Sequence, residues 1–304
     1  MSKARRGIYA AAVSPFNDDG TLNAQKSIAY CNHLLSDGGC DGVAPTGTTG
    51  EGSSIAISCR LALPGAFAEA GIETDRVIFG TGAPSAGDCV ALTQAAVDAG
   101  YTNVLVLPPY YYKNPSDDGI FAYFANLVEK IGDDRLRIYL YHFPQMSQVP
   151  FSIDLVKRLK STFGSVIAGL KDSSGDFEQS RGFIEAMGGV DNDFDVYPSS
   201  EAMLWDGLSI GSAGIISGST NAFGALAQAA LQAPQGAERD AAMVAVSAAR
   251  TMAAGFPLMS AMKTMEAWRT GDDEWLRMTP PLLPLSDEQK SAFRAAVEAL
   301  GHST

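Results

Sequence analysis

Val166-Ile167-Ala168-Gly169-Leu170-Lys171-Asp172-Ser173-Ser174-Gly175-Asp176 is the stretch on which the reading of this chain turns. Its first five residues are apolar and the rest form a polar turn that begins at a lysine. A short apolar run closed by turn residues reads as a strand buried on both faces, so Lys171 should emerge at its carboxyl end. In folds built from parallel strands the active site lies at those ends. A lysine partly desolvated there loses some of its preference for the charged form, and a neutral amine can attack a ketone. A lysine that ends a strand also reads simply as a side chain snorkelling to water. The surrounding sequence has to choose between these readings.

Seven further runs of the same kind flank it. Ile8 to Val13 closes in Ser14-Pro15, and Asp41 to Ala44 leads into Pro45-Thr46-Gly47-Thr48-Thr49-Gly50-Glu51-Gly52. Val77 to Gly80 comes next, then Val104 to Leu107, which runs into Pro108-Pro109-Tyr110-Tyr111-Tyr112. Arg137 to Tyr141 ends in His142-Phe143-Pro144, and Phe194 to Tyr197 and Ala213 to Ser217 follow the Lys171 run. Helical segments separate them. Leu22, Ile28, Cys31 and Leu35 share a helical face stopped by Gly38-Gly39. Ser85 with Asp88 suggests a capping box, and Ser116 precedes Ile120, Phe124, Leu127 and Ile131 at the spacing of a helix laid on a sheet. Ser152 opens a helix with Ile153, Val156 and Leu159.

Eight strands alternating with helices over roughly 220 residues predict an α/β fold, a closed eight-stranded parallel (β/α) TIM barrel. A doubly wound open sheet would leave more polar edge strands, and no Gly-x-Gly-x-x-Gly follows the first strand. The barrel is placed in residues 1–224 as the catalytic domain. Residues 225–304, alanine-rich and interrupted by Pro280-Pro281, are placed as a helical appendix packed on it.

The totals fit one large domain: 304 residues, 46% of them hydrophobic. A formal charge of -12 argues against nucleic acid or an anionic membrane as partner, because both are bound through lysine and arginine. No apolar stretch approaches the ~20 residues of a membrane span. Lys3, Arg5 and Arg6 open the chain without an apolar signal-peptide core behind them. Cys31, Cys40, Cys59 and Cys89 have no metal-ligand spacing and read as reduced, packed thiols of a cytoplasmic protein.

In the barrel reading three features meet at one mouth: the Thr48-Thr49 turn after strand two, Tyr141 at the end of strand five and Lys171 at the end of strand six. Gly47-Thr48-Thr49-Gly50 offers two hydroxyls and closely spaced N–H donors that suit a carboxylate, or is simply a tight turn. These motifs, with Gly169-Leu170-Lys171-Asp172, Tyr141-x-x-Pro144 and Pro280-Pro281-Leu282-Leu283-Pro284-Leu285, resemble the pyruvate-dependent class I aldolases. That family contains dihydrodipicolinate synthase, N-acetylneuraminate lyase and the 2-keto-3-deoxy sugar acid aldolases and dehydratases. The resemblance spans nearly the whole chain and implies a homotetramer of two tight dimers.

It also implies that Lys171 forms a Schiff base with pyruvate or a 2-keto acid, with no cofactor and no metal. Tyr141 would shuttle protons, and Gly47, Thr48 and Thr49 would hold the carboxylate. A second tyrosine, crossing the dimer interface, is matched by Tyr111 or Tyr112, Tyr111 being favoured. Glu51 braces the threonine turn. The position five after Tyr141, an arginine in the synthase, is Met146, and a thioether cannot grip the aldehyde substrate's carboxylate. Ser173, Glu201, Ile216, Ser219 and Asn221 are the candidate substrate-binding residues, and Ser173 points to a polyhydroxy substrate. His142 can meet substrate or belong to the barrel wall.

The expected function is reversible aldol cleavage of a 2-keto-3-deoxy sugar acid to pyruvate and an aldehyde, both small molecules. The alternatives are dehydration of such an acid, synthase-type condensation of pyruvate with aspartate semialdehyde, and a 2-keto acid-binding sensor.

Overall fold

The computed structural model describes residues 3–302. Its eight short strands are β1 (Gly7–Ala10), β2 (Gly42–Val43), β3 (Phe79–Gly80), β4 (Asn103–Val106), β5 (Arg137–His142), β6 (Ile167–Asp172), β7 (Asp195–Pro198) and β8 (Gly214–Ser217). Each falls within or beside one of the eight apolar runs. All pairings are parallel, in the orders β2-β1-β8 and β3-β4-β5-β6-β7. A bridge between Val43 and Val77 joins one seam. At the other the Ala213 N–H donates to the Val196 carbonyl at 2.9 Å. The eight strands therefore form a ring, the TIM barrel predicted from their spacing.

The helices that follow the strands are α1 (Ala24–Leu35), α2 (Ile57–Glu69), α3 (Ala86–Asp98), α4 (Asp117–Ile131), the one-turn α5 (Pro144–Ser147), α6 (Ile153–Phe163), α7 (Phe177–Met187), α8 (Leu204–Ser209) and α9 (Thr220–Gln232). Local chemistry sets their starts. Asn23, Ser85, Ser116 and Ser152 each accept a first-turn backbone N–H. At Ser85 the structure shows this single cap bond. Helix α4 buries the stripe Ile120, Phe124, Leu127 and Ile131. Helix α2 buries a mixed stripe, Arg60, Leu63, Pro64 and Phe67, and leaves Ile57 and Leu61 exposed.

The core has two parts. One lies between strands and helices and includes Ile8, Val104, Leu140, Phe124 and Ile215. The other fills the barrel: Tyr9, Tyr139 and Tyr197 interlock with Ala11, Ala44, Ala168, Leu105 and Ile216. The tyrosine rings meet edge to face at 5.7 and 5.9 Å between centroids. Large rings against alanines fill the lower barrel.

After α9 come α10 (Ala237–Ala254), α11 (Leu258–Thr270) and α12 (Asp287–Ala299). Helices α10 and α11 are bent by 111° to one another. The start of α11 and the last turns of α10 thereby lie over the barrel mouth. No single helix among the described residues is long and apolar enough to cross a membrane.

Candidate active site

Lys171 is the fifth residue of β6, where it pairs in register with Tyr141 of β5 on one side and Tyr197 of β7 on the other. In a parallel sheet, residues in register point to the same face, here the barrel interior. The register shifts at Ile138/Tyr139, and Gly169 lies so close to β7 that a side chain there would strike the Asp195 carbonyl oxygen. Glycine in this motif is thus required by the close approach that sets the Lys171 register. Beyond the lysine, Asp172 accepts from the Ser174 N–H (2.9 Å), the Ser174 hydroxyl (3.0 Å) and the Ser180 hydroxyl (2.6 Å). The Ser173 N–H donates to the His142 carbonyl at 2.7 Å. This pins the turn that follows the lysine.

Lys171 is 3% exposed. Its Nζ donates to Tyr141 Oη at 3.3 Å, and the Tyr141 hydroxyl donates to Thr48 Oγ1 at 3.3 Å. The same Nζ sits 4.4 Å from the Tyr141 ring centroid. Among the described residues no carboxylate is within 4 Å of it. An amine, a phenol and an alcohol form one donor chain leading away from the amine.

The threonine turn is held from outside. Thr46 and Glu51 both adopt positive φ (58° and 54°), which closes the turn tightly. Thr46 Oγ1 bonds the Gly80 carbonyl at 2.9 Å. Glu51 Oε1 accepts from Lys263 Nζ at 2.8 Å, with both side chains fully buried, and Oε2 accepts from the Thr279 N–H (3.2 Å) and hydroxyl (3.1 Å). Burial lowers the Lys263 pKa from its usual value against the pull of Glu51. The C-terminal helices are thereby tied to the turn that carries Thr48 and Thr49.

Thr48, Thr49, Tyr141, Lys171, Ser173 and Ile216 line one cavity of about 290 Å³, together with Phe143, Met146, Gly218, Arg250, Leu258 and Met259. Gly47 lies in a small adjoining cleft with Thr48 and Tyr141. Met146, 53% exposed, also borders a second cavity of about 350 Å³ with Thr48, Tyr110 and Met259.

Other expected site residues are elsewhere. Glu201 is fully buried and takes hydroxyl hydrogens from Ser217 at 2.9 Å and from Ser219 at 2.7 Å. Ser219 is therefore spent on Glu201, beneath the cavity wall. Asn221 bonds the Val13 N–H, the Ala11 and Gly218 carbonyls and the Tyr30 hydroxyl, and borders an outer groove with His33 and Glu266. Glu201, Ser219 and Asn221 do not line the cavity that holds Lys171, and each satisfies internal hydrogen bonds that a ligand would have to break. Burial pushes the Glu201 carboxyl up, opposed mainly by the serine bonds.

Tyr111 and Tyr112 are 73% and 75% exposed, stacked edge to face on each other, and do not reach their own chain's cavity. The tyrosine of that run which does approach the mouth is Tyr110, whose hydroxyl lies 3.0 Å from Ser53 Oγ. His142 belongs to the barrel wall. Its Nδ1 accepts the Phe151 N–H at 3.1 Å, which assigns the proton to Nε2, 2.9 Å from Gln179 Oε1. Nothing in an alanine-rich helical segment marks Arg250 and Met259 as residues that fold over a distant barrel. Among the described residues no group of three or more His, Cys, Asp or Glu side chains could hold a metal ion.

The model of the Dihydrodipicolinate synthetase family matches residues 4–300. An "Uncharacterized DapA-like lyase" of Chloroflexus aurantiacus is 37% identical over 298 residues, 97% of each chain. The crystal structure of dihydrodipicolinate synthase from Agrobacterium tumefaciens superimposes with a TM-score of 0.87 at 33% identity, covering 98% of this chain and 100% of that one. YagE, an Escherichia coli K12 prophage protein of the dihydrodipicolinic acid synthase family solved in complex with pyruvate, gives a TM-score of 0.87 at 25% identity over 97% and 98% of the two chains.

Proposed function

This chain belongs to the dihydrodipicolinate synthetase family and is a lyase, and on that premise we propose that it works through a Schiff base between Lys171 and the keto carbon of pyruvate or a 2-keto acid. The observation that carries the reading is the hydrogen-bonded chain Lys171, Tyr141, Thr48. The buried amine attacks the ketone, and water leaves with the protons that Tyr141 relays. With a 4-hydroxy-2-keto acid bound, the 4-hydroxyl gives its proton to the Tyr141 oxygen and the C3–C4 bond breaks. Its electron pair passes into the enamine, and an aldehyde departs. Protonation at C3 and hydrolysis of the imine release pyruvate and free the amine. Thr48 and Thr49 hold the 2-keto acid carboxylate with hydroxyl and backbone donors.

The substrate we favour is a 2-keto-3-deoxy sugar acid. Two cavity residues support it: Met146 has no charge with which to hold an aldehyde carboxylate at its position, and Ser173 offers a hydroxyl. No cofactor takes part. Tyr111, exposed in its own chain, is assigned to the mouth of a neighbouring subunit in a homotetramer, and the protein to the cytoplasm. The test is incubation with pyruvate and borohydride followed by mass mapping. A reduced adduct at Lys171 that disappears in Lys171→Ala is expected. No adduct, or one that survives the substitution, overturns the Schiff-base reading.

A further inference from the structure

We infer that Arg250 is the residue that receives the far end of the substrate, and that this end is a second carboxylate. The inference rests on the proposed function for the near end, where Lys171 and the threonine turn hold the 2-keto acid, and it narrows the 2-keto-3-deoxy sugar acid to one that ends in a second carboxylate, a 2-keto diacid.

Arg250 comes from α10, outside the barrel, and its side chain helps line the cavity that contains Lys171. It is half-buried, with its side chain 24% exposed, and it stands against Glu201, Nε to Oε2 at 3.8 Å. That distance is an ion pair without a hydrogen bond. The Glu201 oxygens are already taken by Ser217 and Ser219. Glu201 therefore orients the guanidinium from behind without using up its donors. Nη1 is shielded from solvent and has no hydrogen-bond partner among the described residues. A buried donor left unpaired is costly, and a guanidinium offers five donors in a planar fork that matches a carboxylate.

The charge of the cavity points the same way. In a chain of formal charge -12, the walls of this cavity carry two cationic side chains, Lys171 and Arg250, and no carboxylate. Glu51, beside the adjoining cavity, is bound to Lys263. Glu201 stands against Arg250 at 3.8 Å and answers part of its charge; a carboxylate in the cavity would pair with the guanidinium donors that Glu201 leaves free. A terminal alcohol could accept a hydrogen bond from Arg250 but would not answer its charge. Met146 lacks the guanidinium that would hold a carboxylate from the α5 side, and Arg250 supplies one from the α10 side instead.

The test separates this from the Schiff-base reading by using binding. Calorimetric dissociation constants are measured for 2-oxoglutarate, a 2-keto diacid, and 2-oxopentanoate, the same chain ending in a methyl group. The protein as it stands is compared with Arg250→Met and Arg250→Lys, each shown to be folded by circular dichroism. The expected result is a preference for the diacid of about tenfold or more, the scale of a charge-assisted hydrogen bond. It should be lost in Arg250→Met and partly kept in Arg250→Lys. Equal affinities in the unaltered protein, or a preference that survives Arg250→Met, overturns the assignment. Failure of pyruvate trapping at Lys171 would instead sink the Schiff-base chemistry and leave this readout standing.

Discussion

Lys263→Met should loosen the threonine turn without touching the cavity itself. The lysine and Glu51 form an ion pair of 2.8 Å with both side chains fully buried. Methionine fills the same volume but leaves the Glu51 carboxylate with only its Thr279 bonds, at 3.1 and 3.2 Å. Removing one partner of a buried pair costs about 3–5 kcal/mol, because the other charge stays behind in a poorly solvating site. At about 2–4 °C per kcal/mol for a protein of this order of size, the melting temperature should fall on the order of 10 °C. Urea denaturation followed by circular dichroism gives the free energy. The rate of borohydride-trapped pyruvate adduct reports on the turn, and it should fall because Thr48 and Thr49 lose their brace. The double variant Glu51→Gln with Lys263→Met carries no stranded charge and should be more stable than Lys263→Met alone. A single-variant loss under about 1 kcal/mol, or a double variant as poor as the sum of the two singles, would refute the account of the pair as a charge-specific tie.

Three other outcomes follow from the same geometry. Tyr141→Phe keeps the ring beneath Lys171 but removes the hydroxyl that links it to Thr48; kcat should fall about 10²–10⁴-fold, and stopped-flow trapping should show slower imine formation, whereas unchanged kinetics would remove Tyr141 from the relay. Burial raises the Glu201 pKa, so the folded state holds that proton more tightly than the unfolded chain, and stability contributed by this group falls as pH rises from the ordinary carboxylate range through the raised value. Glu201→Gln should remove that decline, visible as a stability difference from the unaltered protein that grows from pH 4 to pH 8; a pH-independent difference would count against it. Phe124→Ala should cost about 3–5 kcal/mol in urea titration, since α4 buries that ring completely against the sheet.

What the sequence determines by itself is the architecture and which polar groups end the strands. Strands of a closed parallel barrel are covered on both faces, so they must be short unbroken apolar runs, and a polar residue that ends such a run must lie at the mouth. Lys171, Tyr141 and the Thr48-Thr49 turn were legible for that reason. The α4 stripe was legible because one face of a helix on a sheet repeats every three or four residues.

Tertiary structure decides everything that depends on direction across the barrel. Glu201, Ser219 and Asn221 follow the ends of β7 and β8, yet their side chains turn inward to pair with Ser217, Val13 and Tyr30. A loop's sequence does not say which of its polar groups finds a partner within the protein. Arg250 shows the converse. It lies in an alanine-rich helix with no motif around it, and it becomes part of the cavity because α10 packs along α9 and against the segment that carries Glu201. Local sequence sets the strands and their chemical ends, and long-range packing sets which side chains remain unpaired and free to meet a ligand.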